Sequence, residues 1–333
     1  MNKRLKYIDY SKGFAILCMV FAHTMNVEEH KIGIWITSWF MPIFFLICGI
    51  ILFEKFGGGA TPIEFINVLK KRLFQLGIPY IVFCLLLTIF YFALAKIAGE
   101  PFDAIKYIIR IIKLDGIDSL WFIPCYFIVE IAMVLLLMIR GNIGKIIRIL
   151  FAVIALLCIL FNWSFPFVLE VECYLFVYIG FLCARFSLIE KCSVWLAIIV
   201  LMLCIPSAIY NGAVGLAARI FGLGYLYVIN AVFTSIAIIS LFYFCEKRKI
   251  HLVFFEFYGK NSIIVLCTNN ILIETVRLLD HKITGDFLLK NGLWGSVVFT
   301  AILIAIEFFV IKLSQTKMGV FFGKNYKVQG ITK

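Results

Sequence analysis

Apolar residues occur in long stretches along the whole chain, separated by short polar connections. Residues 78–95 and 293–311 are two examples, and each is long enough to cross a hydrocarbon core of about 30 Å as an α-helix. The sequence therefore predicts an all-α, polytopic membrane protein. The pattern places about ten transmembrane helices at residues 10–27, 34–53, 73–95, 119–139, 146–163, 167–184, 193–210, 220–244, 261–279 and 293–311.

Composition and charge support this prediction. Of the 333 residues, 63% are hydrophobic and 15% are charged, whereas a soluble domain is about half apolar and a quarter charged. With the N-terminus inside, 22 Lys and Arg residues fall in cytoplasmic segments and 9 fall outside. Because cytoplasmic loops collect Lys and Arg, this asymmetry predicts that both termini are cytoplasmic. It also explains the net charge of +12 without nucleic acid as a partner.

The apolar stretches leave no room for a separate soluble domain. We expect a single integral membrane domain at residues 1–320 and a short basic cytoplasmic tail at residues 321–333. Asp9 and Lys12 interrupt the first apolar stretch and no small-residue cleavage site follows, so we interpret it as a retained span and not a signal peptide. The eleven cysteines lie mostly in apolar stretches without metal-ligand spacing, which predicts neither disulfides nor a metal site.

Two connections carry helical signals of their own. Thr61 and Glu64 have the spacing of a capping box, with Pro62 at the first helical position. Residues 103–113 alternate charged positions at spacings of three and four with isoleucines. This pattern predicts an amphipathic helix lying in the outer membrane interface.

A polar stripe marks the first predicted span. His23 lies 11 residues after Lys12, which returns an α-helix to nearly the same azimuth about 16 Å further along its axis. Asp9 is one turn before Lys12 on the same side. Polar groups inside a membrane are costly and are functional candidates, and a neutral histidine is suited to proton abstraction near pH 7. The alternative is a histidine that only hydrogen-bonds a neighbouring helix.

A basic pair stands at the cytoplasmic start of the third span. Lys71 and Arg72 are followed by Gln75 one turn later. An arginine here can hold a phosphate-bearing cytoplasmic ligand, and the alternative is ordinary positive-inside charge. Further candidates among polar and aromatic residues within or near the spans are Trp121, Glu130, Glu170, Glu172, Tyr174, Tyr178, Asn230, Asn269, Asn270, Glu274, Arg277 and Glu307.

Five segments in order along the chain resemble the membrane acyltransferase-3 family. They are IDYSKGFAIL at residues 8–17 followed by His23, FMPIFFLICG at 40–49, KRLFQLGIPY at 71–80, LWFI at 120–123 and GKNS at 259–262. The resemblance covers nearly the whole chain. It implies ten spans and transfer of an acyl group, usually acetyl, from cytoplasmic acyl-CoA. The acceptors it implies are hydroxyls of cell-envelope polysaccharides, lipid-linked glycans or antibiotics.

The resemblance also implies roles for single residues. His23 corresponds to the essential histidine of the family, Lys12 to its basic partner, which is more often Arg, and Arg72 to part of the basic third-span motif. Gln75 stands where that motif often has a second Arg, and Asn269 where the ninth span often has His.

These observations lead to one set of site assignments. The catalytic candidates are His23, Asp9 and Lys12; the acyl-CoA contacts are Lys12, Lys71, Arg72 and Gln75; the acceptor contacts are Trp121, Glu172, Tyr174 and Asn269. We expect acetyl-CoA as donor substrate, no tightly bound cofactor, an extracytoplasmic glycan or lipid-linked acceptor, surrounding membrane lipids and a location in the bacterial plasma membrane. A homo-oligomer or an envelope-biosynthesis partner stays open.

Two other classes of function remain as alternatives. A transporter or glycan-lipid flippase would use the same intramembrane polar groups without covalent chemistry, although no internal repeat is visible in the sequence. An inactive scaffold is the other alternative, suggested by Gln75 and Asn269. Dependence on acetyl-CoA separates an acyltransferase from both.

Overall fold

The computed structural model describes residues 5–324, apart from the side chains of Leu289 and Lys317, and this part of the chain is helical. The all-α prediction is confirmed. The α-helices are α1 (Lys6–His23), α2 (Lys31–Thr37), α3 (Pro42–Phe56), α4 (Pro62–Arg72), α5 (Ile78–Ala98), α6 (Ala104–Ile112), α7 (Phe122–Met138), α8 (Gly141–Phe161), α9 (Val168–Arg185), α10 (Leu188–Lys191), α11 (Val194–Asn211), α12 (Gly224–Lys247), α13 (Val253–Lys260), α14 (Ser262–Thr284), α15 (Phe287–Lys290) and α16 (Gly292–Ser314).

The protein is a multi-pass membrane protein. Eight helical segments in residues 5–324 are long and apolar enough to cross a membrane: Lys31–Phe56, Pro62–Ala98, Asp118–Met138, Gly141–Phe161, Val194–Asn211, Gly224–Lys247, Ser262–Thr284 and Gly292–Ser314.

The other two predicted spans correspond to α1 and α9, which carry three Asp, Glu, Lys or Arg residues each. Both helices pack against several others: α1 against α3, α12, α13, α14 and α16, and α9 against α3, α7 and α8. A helix surrounded by protein can hold polar groups that lipid would reject. The count of ten remains a prediction.

Helix boundaries in the first two predicted spans differ from those expected. Helix α1 begins and ends about four residues earlier, so His23 is its last residue. The second predicted span is broken between α2 and α3, where Pro42 occupies the first turn of α3. Proline has no N–H to continue a preceding helix, and its ring clashes with the carbonyl four residues earlier.

Glycines allow two pairs of helices to cross with their backbones in contact. A Cβ on Gly13 of α1 would lie 1.9 Å from the Phe255 carbonyl oxygen, and one on Gly259 of α13 would lie 1.8 Å from that of Asp9. Gly49 and Gly180 form a second such crossing, between α3 and α9. Small residues are the usual device for close helix approach in membranes. Gly13, Gly49 and Gly259 therefore serve packing within the sequence motifs that contain them.

The helical signals in the two connections are confirmed. Thr61 Oγ1 accepts from the Glu64 backbone N–H at 3.3 Å, and the Glu64 carboxylate accepts from the Thr61 N–H at 2.9 Å. Asp103 caps α6 by accepting from the Lys106 N–H at 3.1 Å. Four isoleucines of α6 are exposed, as expected for a helix with one face toward lipid: Ile105, Ile108, Ile109 and Ile112. Its place in the outer interface remains a prediction.

The orientation predicted from charge can be tested directly. Lys249 follows α12 on the side assigned to the cytoplasm, and Lys282 lies near the end of α14 on the opposite side. A reporter fused after Lys249 is expected to read cytoplasm, and one fused after Lys282 the outside, because of the 22-to-9 distribution of Lys and Arg. The reverse result at either position would overturn the ten-span topology.

Candidate active site

A cavity of about 410 Å³ with a cationic lining lies between α1, α3, α7 and α14, and we call it the basic cavity. Four cations line it: Lys12, Arg72, Lys260 and Lys324. They come from α1, the end of α4, the end of α13 and the segment that follows α16, so residues distant in sequence meet here. Such a lining suits a ligand that carries several phosphates.

Arg72 is held in place by two side chains. It donates to Glu130 Oε1 from Nε at 2.9 Å and from Nη2 at 2.7 Å, and to Gln75 Oε1 from Nη1 at 3.1 Å. Glu130 is 3% exposed and Arg72 26% exposed, so the pair is largely buried with the guanidinium facing the cavity. Gln75 therefore orients Arg72.

A π-helical turn shapes this wall of the basic cavity. Residues Leu73–Gly77 form a π-helix between α4 and α5. Pro79 lacks the N–H that would otherwise bond the Gln75 carbonyl, which favours a widened turn at this point. The turn places Arg72, Gln75 and Leu76 on the cavity lining.

Two lysines of the basic cavity have different partners. Lys260 forms an ion pair with Glu256 one turn earlier in α13. Lys324 donates from Nζ to Asn261 Oδ1 at 2.9 Å and to Ser314 Oγ at 3.5 Å, which are both neutral oxygens. Burial lowers the pKa of Lys324, because desolvation disfavours the ammonium.

A second cavity, of about 500 Å³, contains His23, and we call it the histidine cavity. The His23 side chain is exposed to this space. Asp118, Tyr91, Glu274 and Arg277 also line it. Arg277 forms an ion pair with Glu274 at 2.8 Å and donates to the His23 backbone oxygen at 3.3 Å. His23 thus faces both signs of charge.

The position of Asp118 in the histidine cavity depends on a hydrogen bond from Tyr91 and on an uncommon backbone conformation. The Tyr91 hydroxyl donates to its carboxylate. Its φ of 48° lies in the left-handed region, which is uncommon outside glycine and often marks functional sites. Asp118 and Arg277 line this cavity together with His23. A carboxylate placed here stabilises a protonated imidazole.

The basic and histidine cavities share a wall. Met19, Met41 and Leu266 line both. Helix α1 contributes Lys12 to the first cavity, Met19 to the wall and His23 to the second cavity. The polar stripe predicted for α1 therefore connects two sites along one helix face.

A third cavity, of about 790 Å³, continues from the histidine cavity, and we call it the aromatic cavity. The two share Asp118, Trp121 and Ala217. Phe165 and Phe167 add exposed aromatic surface to the third cavity. Aromatic faces beside carboxylates are suited to sugar rings and their hydroxyls.

The structure brings together five of the residues predicted for the site. Lys12, Arg72 and Gln75 line the basic cavity, His23 lines the histidine cavity, and Trp121 lines both the histidine and the aromatic cavities.

The other predicted site residues lie elsewhere. Asp9 is 4% exposed and stands where α1 crosses α13. Lys71 is exposed and outside the lining of the basic cavity. Asn269 is fully buried, whereas Asn270, one residue and about 100° further round the helix, lines the histidine cavity.

Glu172 and Tyr174, predicted as acceptor contacts, are packed inside the helix bundle. The fully buried Glu172 carboxylate accepts from Arg219 Nη2 at 2.7 Å, which is a structural ion pair at the start of α9. Tyr174 stacks on Tyr178 and contacts the edge of Phe151 on α8. Neither residue lines the three cavities.

Sequence reasoning missed three residues of the site. Asp118 and Tyr91 carry no motif of their own, although Asp118 stands three residues before Trp121, which was singled out. Lys324 was assigned to the tail at residues 321–333, of which residues 325–333 lie outside the described part of the chain. Within residues 5–324, no group of three or more His, Cys, Asp or Glu residues is placed to hold a metal ion.

Comparison with known proteins bears on the whole arrangement. No curated protein and no solved structure matches the chain. A family model described as an acyltransferase domain matches residues 5–312. This range contains α1, the basic pair before the π-helical turn, Trp121 and most of both cavity linings. The chain therefore belongs to the membrane acyltransferase-3 family.

Proposed function

We propose that the protein transfers an acyl group, most simply acetyl, from acyl-CoA in the basic cavity to a hydroxyl of a glycan that enters the histidine cavity. The single observation that carries this proposal is the shared wall of Met19, Met41 and Leu266 between a cationic cavity and the cavity of His23. A donor on one side and an acceptor on the other then meet at the wall. The acceptor is an envelope polysaccharide or a lipid-linked glycan at the outer face of a bacterial plasma membrane.

The donor side fits coenzyme A by charge. Its pyrophosphate and 3′-phosphate are anions, and Lys12, Arg72 and Lys260 on the lining are cations. The acyl-bearing end passes between Met19 and Met41, whose unbranched side chains adapt to a narrow space.

His23 performs the proton transfer in this proposal. As general base it takes the proton of the acceptor hydroxyl while the hydroxyl oxygen bonds to the thioester carbonyl carbon. The carbon–sulfur bond then breaks, and the thiolate of coenzyme A leaves and is protonated by His23. Asp118 stabilises the imidazolium between these steps. A route through an acyl-histidine uses the same groups, with His23 as nucleophile.

The test is acyl transfer by the purified protein in proteoliposomes. Acetyl-CoA carrying a labelled acetyl group is supplied on the side of the basic cavity, and an extract of envelope glycans on the other side. We expect free coenzyme A and labelled glycan to appear together, because transfer produces both.

Movement of glycan without acetyl-CoA would instead support a transporter or flippase. The same two cavities separated by a wall would then be alternately open sides of one pathway. Absence of both activities would leave the scaffold alternative. In cells, loss of the gene is expected to remove acetyl groups from envelope glycans, as measured by mass spectrometry.

A further inference from the structure

The last described segment of the chain forms part of the basic cavity. After α16 the chain turns through a short 3₁₀-helix at Lys317–Phe322 and returns to the cavity, where Phe322, Gly323 and Lys324 line it. The family match ends at residue 312. The cavity wall therefore includes residues that the family model does not reach.

This segment is fixed by close packing. The Phe322 ring lies 4.9 Å from that of Phe83 on α5 and is 7% exposed. Gly323 has φ of 64°, and a Cβ there would lie 2.6 Å from the carbonyl oxygen of Gln75. The backbone at Gly323 thus lies directly on the π-helical turn that orients Arg72, which fixes the position of Lys324.

The positive charge of Lys324 indicates that this part of the basic cavity binds an anion. Arg72 and Lys260 are each paired with a carboxylate, Glu130 and Glu256 respectively. Among residues 5–324, the hydrogen bonds of Lys324 go to the neutral oxygens of Asn261 and Ser314. An ammonium that is partly buried among neutral partners gains most from an anion in the adjoining cavity.

We propose that Lys324 binds a phosphate of coenzyme A, and that the segment of residues 317–324 completes the donor site from beyond the family domain. This inference rests on the proposed function, which supplies the donor. The shared chemistry is a phosphate, and a lipid headgroup of the membrane surface is the other source of that group. The cavity position of Lys324 beside Lys12 and Arg72 favours the donor.

The experiment measures coenzyme A binding by calorimetry, with the protein in nanodiscs of neutral phosphatidylcholine. Lys324→Gln is expected to weaken binding about tenfold, the change that corresponds to losing one charge-assisted hydrogen bond. Lys324→Arg keeps the charge and is expected to bind within about threefold of wild type. Gly323→Ala keeps the lysine but displaces it through the clash with Gln75, and is expected to weaken binding similarly.

Lys312→Gln is the matched control. Lys312 lies at the same end of α16, is exposed and does not line the basic cavity, so its loss removes an equal charge from the same region. If Lys312→Gln and Lys324→Gln weaken binding equally, the effect is general electrostatics and the inference is wrong. Unchanged affinity in Lys324→Gln would also overturn it.

Two further outcomes separate the remaining explanations. If Lys324→Gln binds coenzyme A normally in neutral nanodiscs but loses thermal stabilisation by phosphatidylglycerol, Lys324 serves a lipid headgroup and the inference is wrong. If the wild-type protein binds no coenzyme A, the proposed function itself fails, and the inference fails with it. Binding by wild type with the expected loss in both Lys324→Gln and Gly323→Ala supports both.

Discussion

Replacement of His23 by glutamine is expected to lower acyl transfer by about 10²–10⁴-fold, the range that positioned proton transfer contributes to catalysis. Glutamine keeps a similar size and some hydrogen-bonding capacity but cannot take a proton. The His23 side chain faces the histidine cavity. Arg277 donates to the backbone oxygen of His23 and not to its ring. The substitution therefore leaves that contact in place, and membrane insertion and thermal stability are expected to stay near wild type.

The matched control for this prediction is His251→Gln, a histidine that is exposed two residues before α13 begins and lies outside the three cavities. It is expected to keep acyl transfer within about twofold of wild type, as exposed substitutions away from a site usually do. The measurement is initial rate in proteoliposomes at saturating acetyl-CoA. Near-wild-type transfer by a well-expressed His23→Gln protein would contradict the role of His23 and leave it as a packing residue.

Removal of Arg72 is expected to affect both stability and donor binding. The guanidinium holds the carboxylate of Glu130, which is 3% exposed. Breaking a buried ion pair by removing one partner costs about 3–5 kcal/mol, because the other charge is left uncompensated. Arg72→Ala is therefore expected to lower the thermal unfolding temperature strongly as well as to weaken coenzyme A binding.

A double variant separates the two contributions. Arg72→Met with Glu130→Leu replaces the pair by apolar side chains, which is often neutral or stabilising for buried ion pairs. We expect this variant to recover most of the stability lost by Arg72→Ala and still to bind coenzyme A weakly, since the cation on the cavity lining remains absent. Wild-type affinity in the stable double variant would assign Arg72 to the fold alone.

The motif segments divide into residues for packing and residues for the cavities. Gly13, Gly49 and Gly259 allow backbones to touch at two helix crossings. Lys12 and His23, from the same first motif as Gly13, face the basic and histidine cavities. Assigning every residue of a motif to binding or catalysis would therefore misassign its glycines. The distinction follows from what each side chain contacts and not from its place in the motif.

Much of the fold follows from the sequence because its signals are local. Long apolar stretches predicted the helices, and the capping box at Thr61 and Glu64 fixed where α4 begins. The 11-residue spacing placed Lys12 and His23 on one face of α1, since helix geometry depends on the backbone alone. The break between α2 and α3 also has a local cause, because Pro42 stands in the first turn of α3. The sequence nevertheless predicted one continuous span at residues 34–53.

The partners of each side chain were decided only by tertiary structure. Asp118 lines the same cavity as His23, and Lys324 lines the same cavity as Arg72, because helix packing brings these distant segments together. The same packing pairs Glu172 with Arg219. It also buries Asn269 inside the protein. Neither Glu172 nor Asn269 therefore lines a cavity as an acceptor contact. A sequence records that a polar residue lies in an apolar span, which is costly in lipid. Whether that cost is offset by an ion pair, a buried contact or a ligand cavity depends on neighbouring helices, and those are set by packing over the whole chain.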